Sequence, residues 1–370
     1  MTAGVQRGDT QYVWPPGLDL PPADTQLVYL DLNHWIGLAK AATGHRNGGP
    51  HRDALDALRR AKSSGRFVFP LSSTHFMEMA GISSQRQRFD VAEVMEELSE
   101  FDVLVSRSVV MRCEIEAVLD DVARKRPFPY LPVPLVGHGV LQAFGMQGGM
   151  KVRNAEGEDV TEQARLAAQV GPEEFDRRLA EAETLLDRSV LRGPTDEEEP
   201  ELAADGWDPT VARTIAEERA LGERQQAENL DRHPSWRHGR LRDVVSGRHM
   251  LIELNKMIMV ALAARGLELE DVWTGPIAAR QLMDSMPSSD VCVTLMVAAH
   301  RNRETRWTAN DMFDIDGLSI AVPYCDAVLT EKHARQTLRA AKVPVRAGTN
   351  VFARPEELVA WLESRMGSCA

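Results

Sequence analysis

Seven acidic residues stand where apolar runs end or helical runs begin, apart from the charge-rich stretches that hold most of the chain's carboxylates. Asp31 closes the run LVYLD, and Glu78 lies about a turn and a half into the helical run that follows FVFPLSS. Asp311, Asp314 and Asp316 cluster in NDMFDIDGLSIAV, while Asp326 and Glu331 bracket AVLT. Buried carboxylates without partners repel one another and resist ionisation. A set of them converging on one edge becomes tolerable when divalent cations neutralise it, and hard oxygen donors suit magnesium or manganese. Ions held that way polarise a phosphodiester, activate a water and stabilise the leaving oxygen, so the implied chemistry is phosphodiester hydrolysis. At about 100° per residue, Asp311 and Asp314 lie on or beside the face of Ile315, Leu318 and Val322, whereas Asp316 points mostly away. The spacing therefore ranks Asp314 first and Asp311 second, and leaves Asp316 as a surface residue.

Strands and helices in alternation must position these acids. Residues 1–26, with Pro15, Pro16, Pro21 and Pro22, read as an extended lead-in that straps the surface. Strand-like runs at Leu27–Leu32, Phe67–Ser73 and Phe101–Ser106 alternate with helical ones, and this order predicts a parallel α/β sheet over residues 27–110. Residues 111–285 read as a mostly helical insertion. They are crowded with Glu, Asp, Arg and Ala, include the acidic run Asp196–Glu199, and contain one long helix at Asp243–Gly266. The α/β pattern returns over 286–370, with two helices, the second closed by Pro323, a strand at Asp326–Glu331, a further strand in VPVRAG and a terminal helix starting at Pro355. The expected fold is α/β, one sheet assembled from both ends of the chain around the insertion.

Composition narrows the function. The chain has 370 residues, room for about two domains or one domain with a large insertion. Lys plus Arg is 43 and Asp plus Glu is 55, a net charge of −12, which excludes a protein-wide basic coat for nucleic acid but permits a local basic patch. No phosphate-binding GxxxxGK[ST] loop and no GxSxG elbow occur. No apolar stretch is long enough for a membrane span, and the opening residues lack a signal peptide's apolar core, which points to a cytoplasmic protein. Cys113, Cys292, Cys325 and Cys369 are far apart; the first three sit in apolar settings and read as buried thiols.

On these residues the chain resembles the PIN-domain nucleases, metal-dependent ribonucleases built on a small parallel sheet. YLDLNHW matches the family's first strand with its Asp-x-Asn, PLSSTHFMEMA the strand and helix that carry its Glu, and DIDGLSIAVPYCDAVLTEK the helix, strand and Thr-acid ending. The resemblance implies a PIN-like domain in which Asp31, Glu78 and Asp314 hold Mg²⁺ or Mn²⁺. Glu331 stands where the family has an aspartate, with Asp326 as the competing choice, and Asp311 is a further catalytic candidate. Glu78 and Asp314 are 236 positions apart, far more than a compact domain of this type needs. The implied substrate is RNA. Asn33 is a candidate contact to it, as are Arg237, Arg240 and Arg242 around Trp236, and Arg301 and Arg303 in HRNRETRW; alternatively these arginines pair with the insertion's acids. Rival readings are a catalytically silent PIN-like scaffold, with the insertion as a protein-binding surface, and a metal-independent ribonuclease using Arg242 and His249. A His/carboxylate metallohydrolase built from His34, His75 and Glu78 is a further rival.

Overall fold

The computed structural model describes residues 12–124, 126, 128–272 and 275–367, so Cys369 lies outside the described residues. The first half runs β1 (Gln26–Leu30), α1 (Leu32–Ala42), α2 (Gly49–Ser63), β2 (Phe67–Val68), α3 (Ser73–Ala80), α4 (Gln85–Ser99), β3 (Asp102–Leu104) and α5 (Arg107–Ala123). The middle is helical, with α6 (Pro172–Arg192), α7 (Val211–Arg232), α8 (Leu241–Arg248), a π-helical turn at His249–Leu254 and α9 (Asn255–Arg265). The second half supplies α10 (Pro287–Arg301), α11 (Ala309–Tyr324), β4 (Ala327–Leu329), α12 (Lys332–Ala340), β5 (Asn350–Phe352) and α13 (Pro355–Gly367).

The fold is mixed α/β, with a small parallel sheet flanked by helices. Four strands lie in the order β2, β1, β4, β5, all parallel, with Val28 opposite Ala327 and Leu30 opposite Leu329. A parallel bridge between Leu71 and Val103 hangs β3 outside β2. The chain therefore builds outward from β1 on one side and then returns, 299 residues after Val28, to lay β4 on the other. Strand β1 is apolar throughout because both its faces are covered. Leu27 and Tyr29 enter a core shared with α5, α10 and α11, and Val28 and Leu30 enter the opposite one with α1, α2, α4 and α13.

The lead-in crosses the surface: Leu18–Asp19 pairs in parallel with Val133–Pro134, and the Tyr12 hydroxyl donates to Asp290 at 2.5 Å. Val136–His138 pairs antiparallel with β3. The insertion is tied down by ion pairs that span the chain. Arg107 at the start of α5 meets Glu253 at 3.1 Å and Asp316 at 3.3 Å, and Arg219 on α7 meets Asp316 at 2.5 Å and Glu253 at 3.5 Å. The π-helical turn carries Glu253 to this network. It also buries His249, whose imidazole is held down at about 4, first by burial.

Three sequence expectations need correction. Asp316 is not a surface residue; it is the carboxylate that two arginines from distant segments share. Helix periodicity predicted which way it points and could not see that α7 covers that side. The VPVRAG segment is a short helix, Val343–Ala347, and the strand beside β4 is Asn350–Phe352. Its β-branched residues suggested a strand, but Pro344 has no N–H for a sheet ladder and suits a first helical turn. Pro323 does not close α11, which runs on to Tyr324. Cys113, Cys292 and Cys325 are free and buried, as their surroundings implied.

Candidate acidic site

Strand order reverses between β1 and β4, and in open parallel sheets ligands bind at such a reversal, outside the carboxyl ends of the strands. Asp31 occupies that position on β1 and is 6% exposed. Its backbone N–H donates to Leu329 on β4 at 3.0 Å and its carbonyl accepts from His34 at 2.9 Å, so the residue joins the strand to the start of α1. The Thr330 hydroxyl donates to its carboxylate at 3.1 Å. Glu331, the next residue, caps α12 by position, and the Asn33 amide donates to its Oε1 at 2.7 Å.

Glu78 arrives on α3 and Asp314 on α11, two helices packed against each other. Gly317 permits this approach, because a Cβ there would stand 2.6 Å from the Tyr29 hydroxyl and 3.1 Å from Thr74 Oγ1. Beneath the acids lies a hydroxyl cluster, with Tyr29 Oη 3.2 Å from Ser72 Oγ and Ser72 Oγ 2.8 Å from Thr74 Oγ1. His75 fastens α3 to β1: the Ser72 N–H donates to its Nδ1 at 3.0 Å and its Nε2 donates to the Leu30 carbonyl at 2.9 Å. Both ring nitrogens are thereby engaged, and His34 pairs with His51 at 3.2 Å, so neither histidine supports the His/carboxylate reading.

The electrostatics are those of one crowded anionic site. Glu78 is pushed up to about 9, by burial first and then by Asp314 and Asp31. Asp314 is pushed up to about 8, by burial and then by Asp31, Glu331 and Asp311. Asp31 rises to about 6 through burial and Glu331, although the Thr330 hydroxyl opposes the rise. Among the described residues no lysine or arginine lies within ion-pair distance of Asp31, Glu78, Asp314 or Glu331, whereas the acids Asp290, Glu223, Glu253 and Asp316 each have an arginine. A pocket of about 250 Å³ opens onto Asp31, Asp311, Asp314 and Glu331, with Leu295, Trp307, Ile315 and Leu318 as its apolar lining. All these donors are hard oxygens, the set that suits magnesium or manganese. They are neighbours rather than a ready-made ligand cage: among the described residues no three His, Cys, Asp or Glu side chains are grouped closely enough to hold an ion.

Asp311 lines the pocket while its carboxylate accepts from the Thr308 N–H and hydroxyl at 2.7 Å, a reciprocal cap on α11. Asp326 is a correction. It precedes β4, at the opposite end of the sheet from Asp31, and its carboxylate accepts the Leu27 N–H at 2.8 Å. Asp326→Ala is expected to leave any activity of the acidic site unchanged and to cost at least about 1.5–3 kcal/mol of stability, the usual loss for a hydrogen bond to a charged group, measured by urea unfolding.

The arginines divide. Arg242 pairs with Asp284 at 2.5 Å and with Asp290, and Arg237 with Asp231 at 2.8 Å and the His300 carbonyl, so pairing with acids describes both. Arg303 approaches Asp231 at 3.9 Å. Arg240 and Arg301 are exposed with no ion pair among the described residues. Because Arg242 is held by carboxylates and His249 is buried, the metal-independent pair has no shared open site. Tyr29 was not singled out by sequence, and Thr330 only as the threonine of the Thr-acid ending; the signal available was their position beside Asp31 and Glu331.

Comparison with protein-family models, curated proteins and solved structures gave no match to this chain. The site must therefore be read from its own geometry. Among the described residues no helix is long and apolar enough to cross a membrane.

Proposed function

We propose that the protein is a Mg²⁺- or Mn²⁺-dependent endoribonuclease with a PIN-like catalytic core. The observation that carries this reading is the group of acids Asp31, Glu78 and Asp314. They come from three distant segments to the carboxyl edge of the sheet, are raised in pKa first by burial and then by neighbouring carboxylates, and have no cationic partner among the described residues. Hard oxygen donors of one sign favour a divalent cation, and the spatial order β3, β2, β1, β4, β5 supports the PIN-like assignment. Asp31, Glu78 and Asp314, which are not gathered into a cage as they stand, would have to close around the ion to hold it, with Glu331 completing the set. When bound, the ion would supply Lewis-acid polarisation of the phosphodiester and a more acidic water. The chain's own part is positional: Thr330 orients the Asp31 carboxylate, Asn33 orients Glu331, and Gly317 lets α11 bring Asp314 alongside Glu78.

The test is cleavage of labelled single-stranded and structured RNA in Mn²⁺, Mg²⁺ or EDTA. Cleavage is expected with metal and absent in EDTA and in Asp31→Asn; cleavage by Asp31→Asn at the parental rate would sink the assignment. One observation favours a second reading, a silent scaffold with the same core: the carboxylates are not gathered into a ligand cage. On that reading no RNA is cut, and Mn²⁺ leaves the melting midpoint where EDTA does.

A further inference from the structure

A second cavity shares no lining residue with the acidic pocket. Its volume is about 530 Å³, within the roughly 300–1,000 Å³ of small-molecule sites. Helices α5 and α9 form two of its walls and residues 128–131 a third. Cys113 comes from the first, Met257, Val260 and Ala264 from the second, and Phe128 and Leu131 from the third. Val260, Phe128 and Leu131 are 64%, 62% and 84% exposed, so three large apolar side chains stand in water around one concavity. Single exposed apolar residues are ordinary, whereas a group of them rimming a cavity marks a binding surface.

The walls are held in place. Asp120 of α5 accepts from the Tyr130 hydroxyl and from Arg265 Nε at 2.6 Å, so one carboxylate ties all three walls together. Arg265 also donates to the Glu116 carbonyl at 3.1 Å, and the Arg126 guanidinium lies 4.0 Å from the centre of the Tyr130 ring. Charge then selects the ligand. Arg112 and Lys256 line the cavity, are exposed, and have no ion pair with a carboxylate among the described residues, whereas Arg265 is committed to Asp120. Glu116 is the acid of the lining, and the two available cations outnumber it. Burial holds the Cys113 thiol up at about 11, although Arg112 beside it opposes the rise, so the thiol stays neutral and serves as apolar wall. We propose that this cavity binds an amphiphilic carboxylate of the fatty-acid type. Its acyl chain would lie between Cys113, Met257 and Val260, with its head group at Arg112 and Lys256. A partner's apolar helix would fill the same walls but leave both cations without a counter-charge. The ligand would also hold together two elements that the Arg107–Glu253 pair joins, because α5 begins at Arg107 and Glu253 immediately precedes α9 by one residue, Leu254. Its binding is independent of whether RNA is cut.

Isothermal titration calorimetry of the full chain with decanoate, decylamine, 1-decanol and acetate tests this, at concentrations below those at which the amphiphiles aggregate. Decanoate is expected to bind saturably and at least about tenfold more tightly than decylamine or 1-decanol, the share of a hydrogen bond to a charged group. Acetate, with no chain to bury, is expected not to bind detectably. Arg112→Ala/Lys256→Ala is expected to bring decanoate down to the affinity of 1-decanol and to leave 1-decanol unchanged. Ala264→Trp, which fills the cavity, is expected to abolish binding of both. All three positions are exposed, and melting midpoints equal to the parent's without ligand confirm that the variants fold. Absence of saturable decanoate binding, decylamine binding as tightly as decanoate, or an Arg112→Ala/Lys256→Ala protein that binds as the parent does would each overturn the proposal. So would a parent that sediments as a dimer and a Leu131→Ser variant that sediments as a monomer, for the face would then belong to a second copy of the chain.

Discussion

Asp314→Asn is expected to cut RNA at least about 100-fold more slowly than the parent, and yet to melt higher in EDTA at pH 9. Loss of a residue that merely supports a metal ligand costs about 10–100-fold in metal affinity or activity, so a direct ligand should reach the upper end of that range or pass it. The gain in stability follows from the environment that raises Asp314 to about 8: burial, then Asp31, Glu331 and Asp311. The folded chain holds protons on Asp31, Asp314 and Glu78 that the unfolded chain releases above about pH 4. The folded state thus binds more protons, and stability falls as pH rises. The loss begins near pH 4 and proceeds through about 6 for Asp31, 8 for Asp314 and 9 for Glu78. By pH 9 Asp31 and Asp314 are ionised and Glu78 is partly so, and the folded state carries the full repulsion between them. An asparagine carries no such charge, and the variant should lose its part of the slope. Melting in EDTA at pH 6 and pH 9 checks this. Parent and variant falling by the same amount would show that Asp314 is not under the strain its neighbours imply. Mn²⁺ should raise the parent's midpoint most at the higher pH, where the carboxylates are ionised, and raise that of the variant less.

Arg107→Ala should destabilise the protein by roughly 3–5 kcal/mol, the cost of removing one partner from a buried ion pair. Arg107 faces both Glu253 and Asp316 and also donates to Ser319 Oγ at 3.2 Å. Its loss leaves two acids in a covered site with Arg219, 3.5 Å from Glu253, as the principal counter-charge. The double variant Arg107→Met/Glu253→Met should recover a large part of the loss, because apolar side chains of similar size replace a buried pair at little cost. Urea unfolding of the two single variants and the double gives the coupling energy. Additive losses would mean that the pair does not interact and that the insertion is held by its other contacts, Arg219 with Asp316 among them. The network matters for the site because Asp316 lies two residues from Asp314 on α11, so the insertion braces the helix that presents the third acid.

Local pattern carried the reading of the sheet a long way. The uninterrupted apolar run of β1 announced a strand covered on both faces, and an acid at its end announced Asp31. The helical runs after Phe67–Ser73 and before Cys325 placed Glu78 and Asp314 on helices, and the structure brings those helices together. VPVRAG misled because β-branching and an early proline speak for different elements, and only the hydrogen-bonding partner of β4 distinguishes them.

What sequence could not supply is relative direction and long-range partnership. Asp326 and Glu331 flank the same short strand and look alike in one dimension. Parallel pairing of β4 with β1 places Glu331 beside Asp31 and carries Asp326 to the far end, because the sheet makes all carboxyl ends face one way. The arginines differ for the same kind of reason. Arg242 and Arg301 are equally basic as letters, but Asp284 and Asp290 fold against the first and, among the described residues, no acid pairs with the second. Charge on a side chain is a local property, and whether that charge remains available for a ligand depends on which distant segment packs beside it.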